Sequence, residues 1–418
     1  MNLTQHKMNY SFFFIIIALF GITLNGSAQI VTLSNEGIGS SKSNNKKEFS
    51  YPESELKSTY RIDVLLPLYL DELVKNDKAV HKTPPAHILP TINFYEGIKL
   101  AADSLNSLGF HFDIYIHDIF SEEGNINNLI NSSALDSSDL VIGYLTSSEF
   151  QDITEFTKKH KINFLSALSP SDSGITNNPY FISLQPALNI HIEQLVAHAL
   201  KKHPANDKYL IYLEDSPLQI DAKNMIMANL GMETYKALPI NEWTEDDENL
   251  KSLFSKEEPN IIFMNVFDNR KVDAFLKQLQ HLGKEYKFEI YGMPSWKTLP
   301  NLSRGKSYEH LSIYYTSPFF YDTQSAPGVA IKKKYQKEYG KNMSELVYRG
   351  FECLFWMAHL LENYGHTFNK NLNDISAAPF TRYKIKSKFS IENDLQSLGN
   401  EYLYIFHYQN GYFNLENH

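Results

Sequence analysis

One cysteine, Cys353, stands among 418 residues. That scarcity excludes an intramolecular disulfide framework and any cysteine-rich zinc or iron–sulfur site. Basic residues are outnumbered too. The formal net charge is −9 and the isoelectric point about 5.9, which argues against a nucleic-acid binder needing a broad basic face. The signatures of several enzyme classes are missing: there is no GxSxG elbow, HExxH helix, phosphate-binding P-loop or EF-hand loop. His191 and His198 fall two turns apart on one expected helix with no third ligand nearby. That spacing reads as a solvated helix face and not as a zinc site. Charge runs such as residues 245–248 (EDDE) read as exposed loops or helix starts. A carboxylate pair for glycoside hydrolysis needs no adjacency in sequence, yet nothing positive points to one. The expectation is therefore a protein with no metal, no cofactor and no catalytic residues.

What is present is globular. Hydrophobic residues make up 43% of the chain and charged residues 21%, with 26 Tyr and 27 Phe, which excludes a wholly disordered or coiled-coil chain. The length leaves room for two or three domains. Near the start, Lys7 precedes an apolar run, residues 12–24 (FFFIIIALFGITL), and then the small residues Gly26, Ser27 and Ala28. The run is shorter than the ~20 residues a spanning helix needs, and no cysteine follows it to carry a lipid. The pattern is that of a signal peptide, residues 1–28, cleaved after Ala28 to leave Gln29 first. A periplasmic or secreted protein is the expectation. Residues 29–59 are rich in Ser, Asn, Lys and Glu and read as a flexible linker. Gly37-Ile38-Gly39 within it follows no strand and lacks a third glycine, so it is linker and not a dinucleotide fingerprint.

From Tyr60 onward short apolar runs alternate with amphipathic stretches. Residues 62–68 (IDVLLPL), 112–117 (FDIYIH), 139–143 (DLVIG), 163–168 (NFLSAL) and 180–184 (YFISL) read as strands. A helix begins at Phe94, with Ile98, Ala101, Leu105 and Leu108 on its apolar face and Gly109 closing it. A second series follows a helix at residues 189–202. It has strands at 208–213 (KYLIYL), 260–266 (NIIFMNV), 288–293 (FEIYGM) and 311–316 (LSIYYT). Its helices span residues 220–230 and a stretch opened by Asp268 as N-cap. Strands separated by helices of this length favour parallel sheets covered on both faces. The predicted fold class is α/β, two Rossmann-like lobes with parallel sheets. Residues 60–184 form lobe 1, 185–316 form lobe 2, and 317–418 return to complete lobe 1 and the hinge. The return carries a strongly apolar helix, residues 346–364, whose Cys353 reads as a small core residue. Residues 383–389 and 402–413 read as an antiparallel ribbon with Asn410-Gly411 as a tight turn.

The order of the segments carries a family resemblance. Residues 141–148 (VIGYLTSS) end a strand and open a helix; Leu168-Ser-Pro-Ser-Asp-Ser173 follows the next strand, and Thr176-Asn-Asn-Pro-Tyr-Phe181 leads into another. With Phe94-Tyr-Glu-Gly97, residues 286–296 and residues 314–322, this order resembles the type I periplasmic binding proteins. Specifically, it is similar to the leucine/isoleucine/valine-binding branch of the ABC-transporter solute receptors. The resemblance covers residues 60–413. It implies two lobes joined by three hinge crossings that close on a ligand, the periplasmic binding protein-like fold. The physical logic agrees, since ligands of open α/β sheets sit beyond the carboxyl ends of strands, where turns present free N–H groups. The resemblance implies that the turns holding Ser147, Ser148, Ser171 and Ser173 take the carboxylate and ammonium of an amino-acid ligand. Serines at such turns also serve as plain N-caps.

The second lobe departs from the family pattern. A Tyr-Gly turn is replaced by Glu214-Asp215-Ser216-Pro217, and a Gly-Pro-Glu-type turn by Gly292-Met293-Pro294-Ser295-Trp296, which has no acid. Without that acid a bound ammonium loses a charge-assisted hydrogen bond of about 1.5–3 kcal/mol. Asp215 is a replacement charge, and Phe267 and Trp296 are candidates for stacking on a ring or sugar face, each equally readable as core. The functional expectation is a non-enzymatic receptor for a small polar ligand, monomeric or weakly dimeric, serving a membrane permease or sensor. The alternative is a cell-envelope binding module with a degenerate cleft and no transport partner.

Overall fold

Tyr60–Leu66 (β1) is buried along nearly its whole length, as a strand must be when helices cover both faces of its sheet. The computed structural model describes residues 49–416, apart from residues 76–77, 82, 146–149, 171–174, 176, 205–208, 214–215, 232–235, 240–247, 304–305 and 391–392. After β1 come a short helix α1 (Leu70–Leu73) and a small hairpin, β2 (Val74–Lys75) and β3 (Lys78–Ala79). The first lobe continues through α2 (Leu89–Ser107), β4 (Phe112–Asp118), α3 (Ile126–Asn131), β5 (Leu140–Gly143), α4 (Phe150–His160), β6 (Asn163–Pro170) and β7 (Phe181–Gln185). The second lobe has α5 (Leu188–Lys202), β8 (Tyr209–Leu213), α6 (Pro217–Leu230), β9 (Lys236–Pro239) and α7 (Glu248–Lys251). It goes on with β10 (Asn260–Met264), α8 (Asn269–Leu282), β11 (Phe288–Tyr291), α9 (Pro300–Ser303) and β12 (Leu311–Ser317). The remainder is α10 (Ala326–Tyr339), α11 (Glu345–Tyr364), β13 (Ile385–Phe389), β14 (Leu395–Asn400), β15 (Tyr404–Gln409) and β16 (Tyr412–Leu415).

Two seven-stranded sheets result, in the orders β13-β14-β7-β6-β5-β1-β4 and β16-β15-β12-β11-β10-β8-β9. Strands β1 and β4 to β7 pair in parallel, as do β8 to β12. Separate apolar clusters line the two faces of each sheet. The expected α/β class with two parallel-sheet lobes is the observed one.

The helix expected from Phe94 begins five residues earlier, at Leu89, because Pro90 sits in its first turn. There the missing proline N–H has no helical partner to lose. This helix is pressed against α11 by two reciprocal glycines. A Cβ on Gly97 would stand 2.1 Å from the Val347 carbonyl, and one on Gly350 would stand 2.1 Å from the Phe94 carbonyl. Farther along, the Glu96 carboxylate accepts from the Tyr335 hydroxyl at 2.5 Å and from Lys341 at 2.9 Å, clasping α10 to the same pair.

The C-terminal part corrects the ribbon expectation. Residues 383–389 do not pair with 402–413. Instead β13 pairs with β14 on the first sheet, whereas β15 joins β12 on the second and turns at Asn410-Gly411 into β16. Two tight turns with left-handed asparagines, Asn393 (φ 68) and Asn410 (φ 53), make two hairpins, and nothing local to a hairpin states which sheet it will extend. Residues 317–418 thus divide between both lobes. The chain crosses between the sheets after β7, after β12 and after β14, which gives the three expected hinge strands.

The expected linker also differs at its end. Residues 49–59 lie on the first lobe, where the Tyr51 hydroxyl donates to the Pro179 carbonyl at 2.7 Å and the rings of Phe49, Tyr51 and Tyr180 meet edge to face. Lys57 pairs with Asp139 at 2.5 Å. Two aromatics inside a polar stretch are enough to dock it.

Gly350→Ala is expected to lower stability toward urea by about 1–3 kcal/mol, the cost of forcing extra volume into a packed contact. An unchanged midpoint with an unchanged slope would show that α2 and α11 part freely.

Candidate functional site

β7 leaves the first sheet at its carboxyl end straight into α5 of the second lobe, and β12 leaves the second sheet at its carboxyl end to return. Because the strands in each sheet run parallel, both carboxyl edges adjoin the hinge. That is where a ligand of such sheets is held.

The hinge is tied by buried polar groups. Asn400, with no exposed surface, accepts from the Lys384 and Tyr402 N–H groups and donates to the Leu184 and Tyr402 carbonyls. His191, in the first turns of α5, lies 2.7 Å from the Thr316 hydroxyl near the end of β12. The solvated face expected for His191 and His198 is therefore corrected: His191 is 2% exposed, and His198 packs against the rings of Tyr291 and Tyr314. Burial pulls the His191 pKa down to about 3. No group of three His, Cys, Asp or Glu able to hold a metal occurs among the described residues.

Of the expected site residues, Ser147 and Ser148 belong to the turn between β5 and α4, Ser171 and Ser173 follow β6, and Asp215 lies between β8 and α6. All five lie outside the described residues. A described neighbour links two of these turns: the Ser169 hydroxyl donates to the Leu145 carbonyl at 2.6 Å. Phe267, just past β10, is half-buried against both apolar clusters of the second lobe. Trp296 is 0% exposed. Its indole lies where a Cβ on Gly292 would be, and its N–H points to the Val266 carbonyl at 3.4 Å. The ring pins the turns after β10 and β11 together, so the stacking face expected of Trp296 is taken up by packing.

Two cations near the hinge were not among the expected residues. Arg349 is the sole Lys or Arg of α11. Its guanidinium carbon stands 3.4 Å from the centre of the Phe319 ring, and its Nε donates to the Tyr321 hydroxyl at 3.3 Å. Both aromatics follow β12 on the second crossing. Lys297, in the turn after β11, reaches Glu345 at the start of α11 at 2.7 Å, so this ion pair joins the lobes. Burial lowers the Lys297 pKa; Glu345 opposes that shift and Arg349 adds to it. Burial raises the pKa of Tyr144, at the end of β5, while Arg349 pulls it down. The sequence signal was there: one basic residue in an otherwise apolar stretch.

On the rim of the first lobe the Asp118 carboxylate accepts from the N–H groups of Leu68, Tyr69, Leu70 and Phe120. It holds Tyr69 at φ 52, ψ 46, with its ring stacked 4.4 Å from that of the half-exposed Phe120. Toward the amino ends of the strands, Asp63 accepts from Arg61 and Ser138 and meets His117. Burial opposes its ionisation, but these hydrogen bonds outweigh it and lower its pKa. Here the serine bonds to the carboxylate and not to the histidine, which is not the order in which a base activates a nucleophile.

His191 generates a pH prediction. The folded state keeps it neutral down to about pH 3, whereas the unfolded chain takes up its proton near pH 6.5. Stability from this group is complete above pH 6.5 and lost as pH falls below it. Between pH 7 and pH 5 the loss is about 2 kcal/mol. His191→Gln is expected to show a shallower fall between those pH values in urea titrations; an identical fall would count against a buried neutral imidazole.

The profile of the family described as periplasmic binding protein matches residues 96–402. A search of curated proteins finds none that matches the sequence. Among solved structures, a branched-chain amino acid ABC transporter periplasmic ligand-binding protein from Burkholderia xenovorans superposes with a TM-score of 0.55 at 14% identity. The match covers 86% of this chain and 94% of that one. An ABC transporter substrate-binding protein from Desulfitobacterium hafniense, in complex with Leu, gives a TM-score of 0.53 at 15% identity over 85% of this chain and 99% of its own. One from Sphaerobacter thermophilus gives 0.52 at 12% identity, covering 85% and 96%. At such identities the likeness is one of fold, and it is the same two-lobed fold. No helix among the described residues is long and apolar enough to cross a membrane. With the family profile spanning most of the chain, and with the sheets, crossings and segment order all in agreement, the chain belongs to the periplasmic binding protein family.

Proposed function

We propose that the protein is an exported solute receptor that captures a small polar ligand between its lobes by hinge closure and presents it to a membrane permease. The observation that carries this reading is the placement of both carboxyl edges at a three-strand hinge. Two lobes so joined can pivot about a few residues while each stays packed, and a ligand bridging them favours the closed arrangement. The first lobe offers the serine turns after β5 and β6, with Ser147, Ser148, Ser171 and Ser173. The second offers Asp215 and Phe267. Closure would exclude water and strengthen every polar contact made there. Export rests on the signal-peptide pattern of residues 1–28 and on the family's setting. A role without enzymatic turnover rests on the family.

The Desulfitobacterium hafniense relative was solved with Leu. Transfer of that ligand to this chain is opposed by the acid-free turn Gly292-Met293-Pro294-Ser295-Trp296. Native mass spectrometry of the chain from Gln29 onward, purified gently from its source, tests the reading. A discrete added mass that leaves on denaturation is expected. Ser147→Ala with Ser173→Ala is expected to release that mass without changing the melting temperature. Retention of the ligand by the double variant would reject the serine turns as the site. A bare protein that scattering shows to stay open with every solute tried would favour a cell-envelope module with an idle cleft.

A further inference from the structure

Resting on that reading, we infer that the ligand carries net negative charge, with one oxyanion taken by Arg349 and Lys297 beside it. The half-buried Arg349 guanidinium has an aromatic face and a neutral hydroxyl as its contacts. No carboxylate of a described residue stands within ion-pair distance of it. Glu352, one turn on, is engaged by the N–H groups of Phe380 and Thr381 and by the Tyr383 hydroxyl. Glu345, one turn back, faces Lys297. Lys297 thus has one carboxylate, itself 58% exposed, while the lysine is 25% exposed, and Arg349 has none among the described residues. A cation kept partly out of water without a counter-charge is unfavourable. An oxyanion meeting a planar guanidinium edge-on makes two short charge-assisted hydrogen bonds and removes that penalty.

The arrangement is fixed in advance. Gly350, next to Arg349, is wedged against the Phe94 carbonyl, so α11 cannot slide, and Phe319 holds the flat face of the guanidinium. The second lobe reinforces the sign. At the turn after β11, where the resemblance expects an acid for an ammonium group, this chain has none and places Lys297 directly after Trp296. The local charge is inverted. A zwitterionic aliphatic amino acid would bring its ammonium to the wrong sign, whereas a dicarboxylate or an acidic amino acid brings a second anion to the right one.

Calorimetric titration of the mature protein with succinate, L-glutamate, L-leucine and D-glucose decides. Succinate or glutamate is expected to bind, leucine and glucose to bind at least about tenfold more weakly. Arg349→Met is expected to weaken the dicarboxylate about tenfold or more, with partial recovery in Arg349→Lys. Lys297→Gln is expected to weaken it less, and it serves as the decisive variant should Arg349→Met fail to fold by circular dichroism. Preference for leucine or glucose, or dicarboxylate affinity unchanged in the folded variants, overturns the charge inference and leaves the cleft reading standing. No binding by any of the four, with no compaction in small-angle scattering, overturns both.

Discussion

Two of the three crossings between the sheets are tied to each other by one buried carboxamide. Asn400 ends β14 where the chain leaves the first sheet for the last time. Its oxygen accepts two backbone N–H groups at 3.0 Å, and its nitrogen reaches the Leu184 and Tyr402 carbonyls at 3.2 Å. Leu184 lies at the end of β7, where the chain first leaves that sheet, so one side chain binds the first crossing to the third. The second crossing is held by packing: Phe320 lies 5.6 Å from Tyr404, and within the second lobe His191 of α5 reaches Thr316 near the end of β12. Buried amides are tolerable because all their hydrogen-bonding capacity is used. Such a knot keeps the crossings in register without gluing the lobes together.

The elements of both lobes were readable because parallel strands covered on both faces are continuous apolar runs, and the helices between them keep one apolar stripe. The two sheets followed from that alternation, and the three crossings from the family resemblance carried by the order of segments. What was not readable is instructive. The strands β13 and β15 each enter a hairpin with a left-handed asparagine near its turn, and only the tertiary environment assigns one to each sheet. The docking of residues 49–59 hangs on Phe49 and Tyr51, two rings in a stretch whose average polarity predicts a tether. Average composition hides a local anchor.

The site was less legible than the fold, for a physical reason. A serine in a turn after a strand caps a helix or binds a ligand with the same atoms, so Ser147 and Ser173 could be placed by position but not given a role by chemistry. A tryptophan after a strand looks alike whether it faces a cleft or a core. Trp296 resolved toward the core because Gly292 leaves room for its ring. Arg349 was overlooked for the opposite reason: the helix carrying it is so apolar that it read as packing alone, when its one Lys or Arg is the more informative residue.

The ion pair between Lys297 and Glu345 shows what the lobes can and cannot do unaided. It brings the turn after β11 to within 2.7 Å of the helix packed on the first sheet, so the lobes already approach at that corner. Yet Glu345 is more than half exposed, and a pair so wetted contributes at most about 1 kcal/mol. That is too little to hold two lobes closed against the entropy of opening, and salt weakens it further. The hinge sets where closure happens, and the pair sets which corner meets first. The remaining free energy has to come from whatever enters between the turns. On the proposed reading the protein stays open until its ligand supplies the contacts, and closure reports occupancy. On that reading Arg349 belongs to this logic, because among the described residues no carboxylate pairs with its charge beside the second crossing.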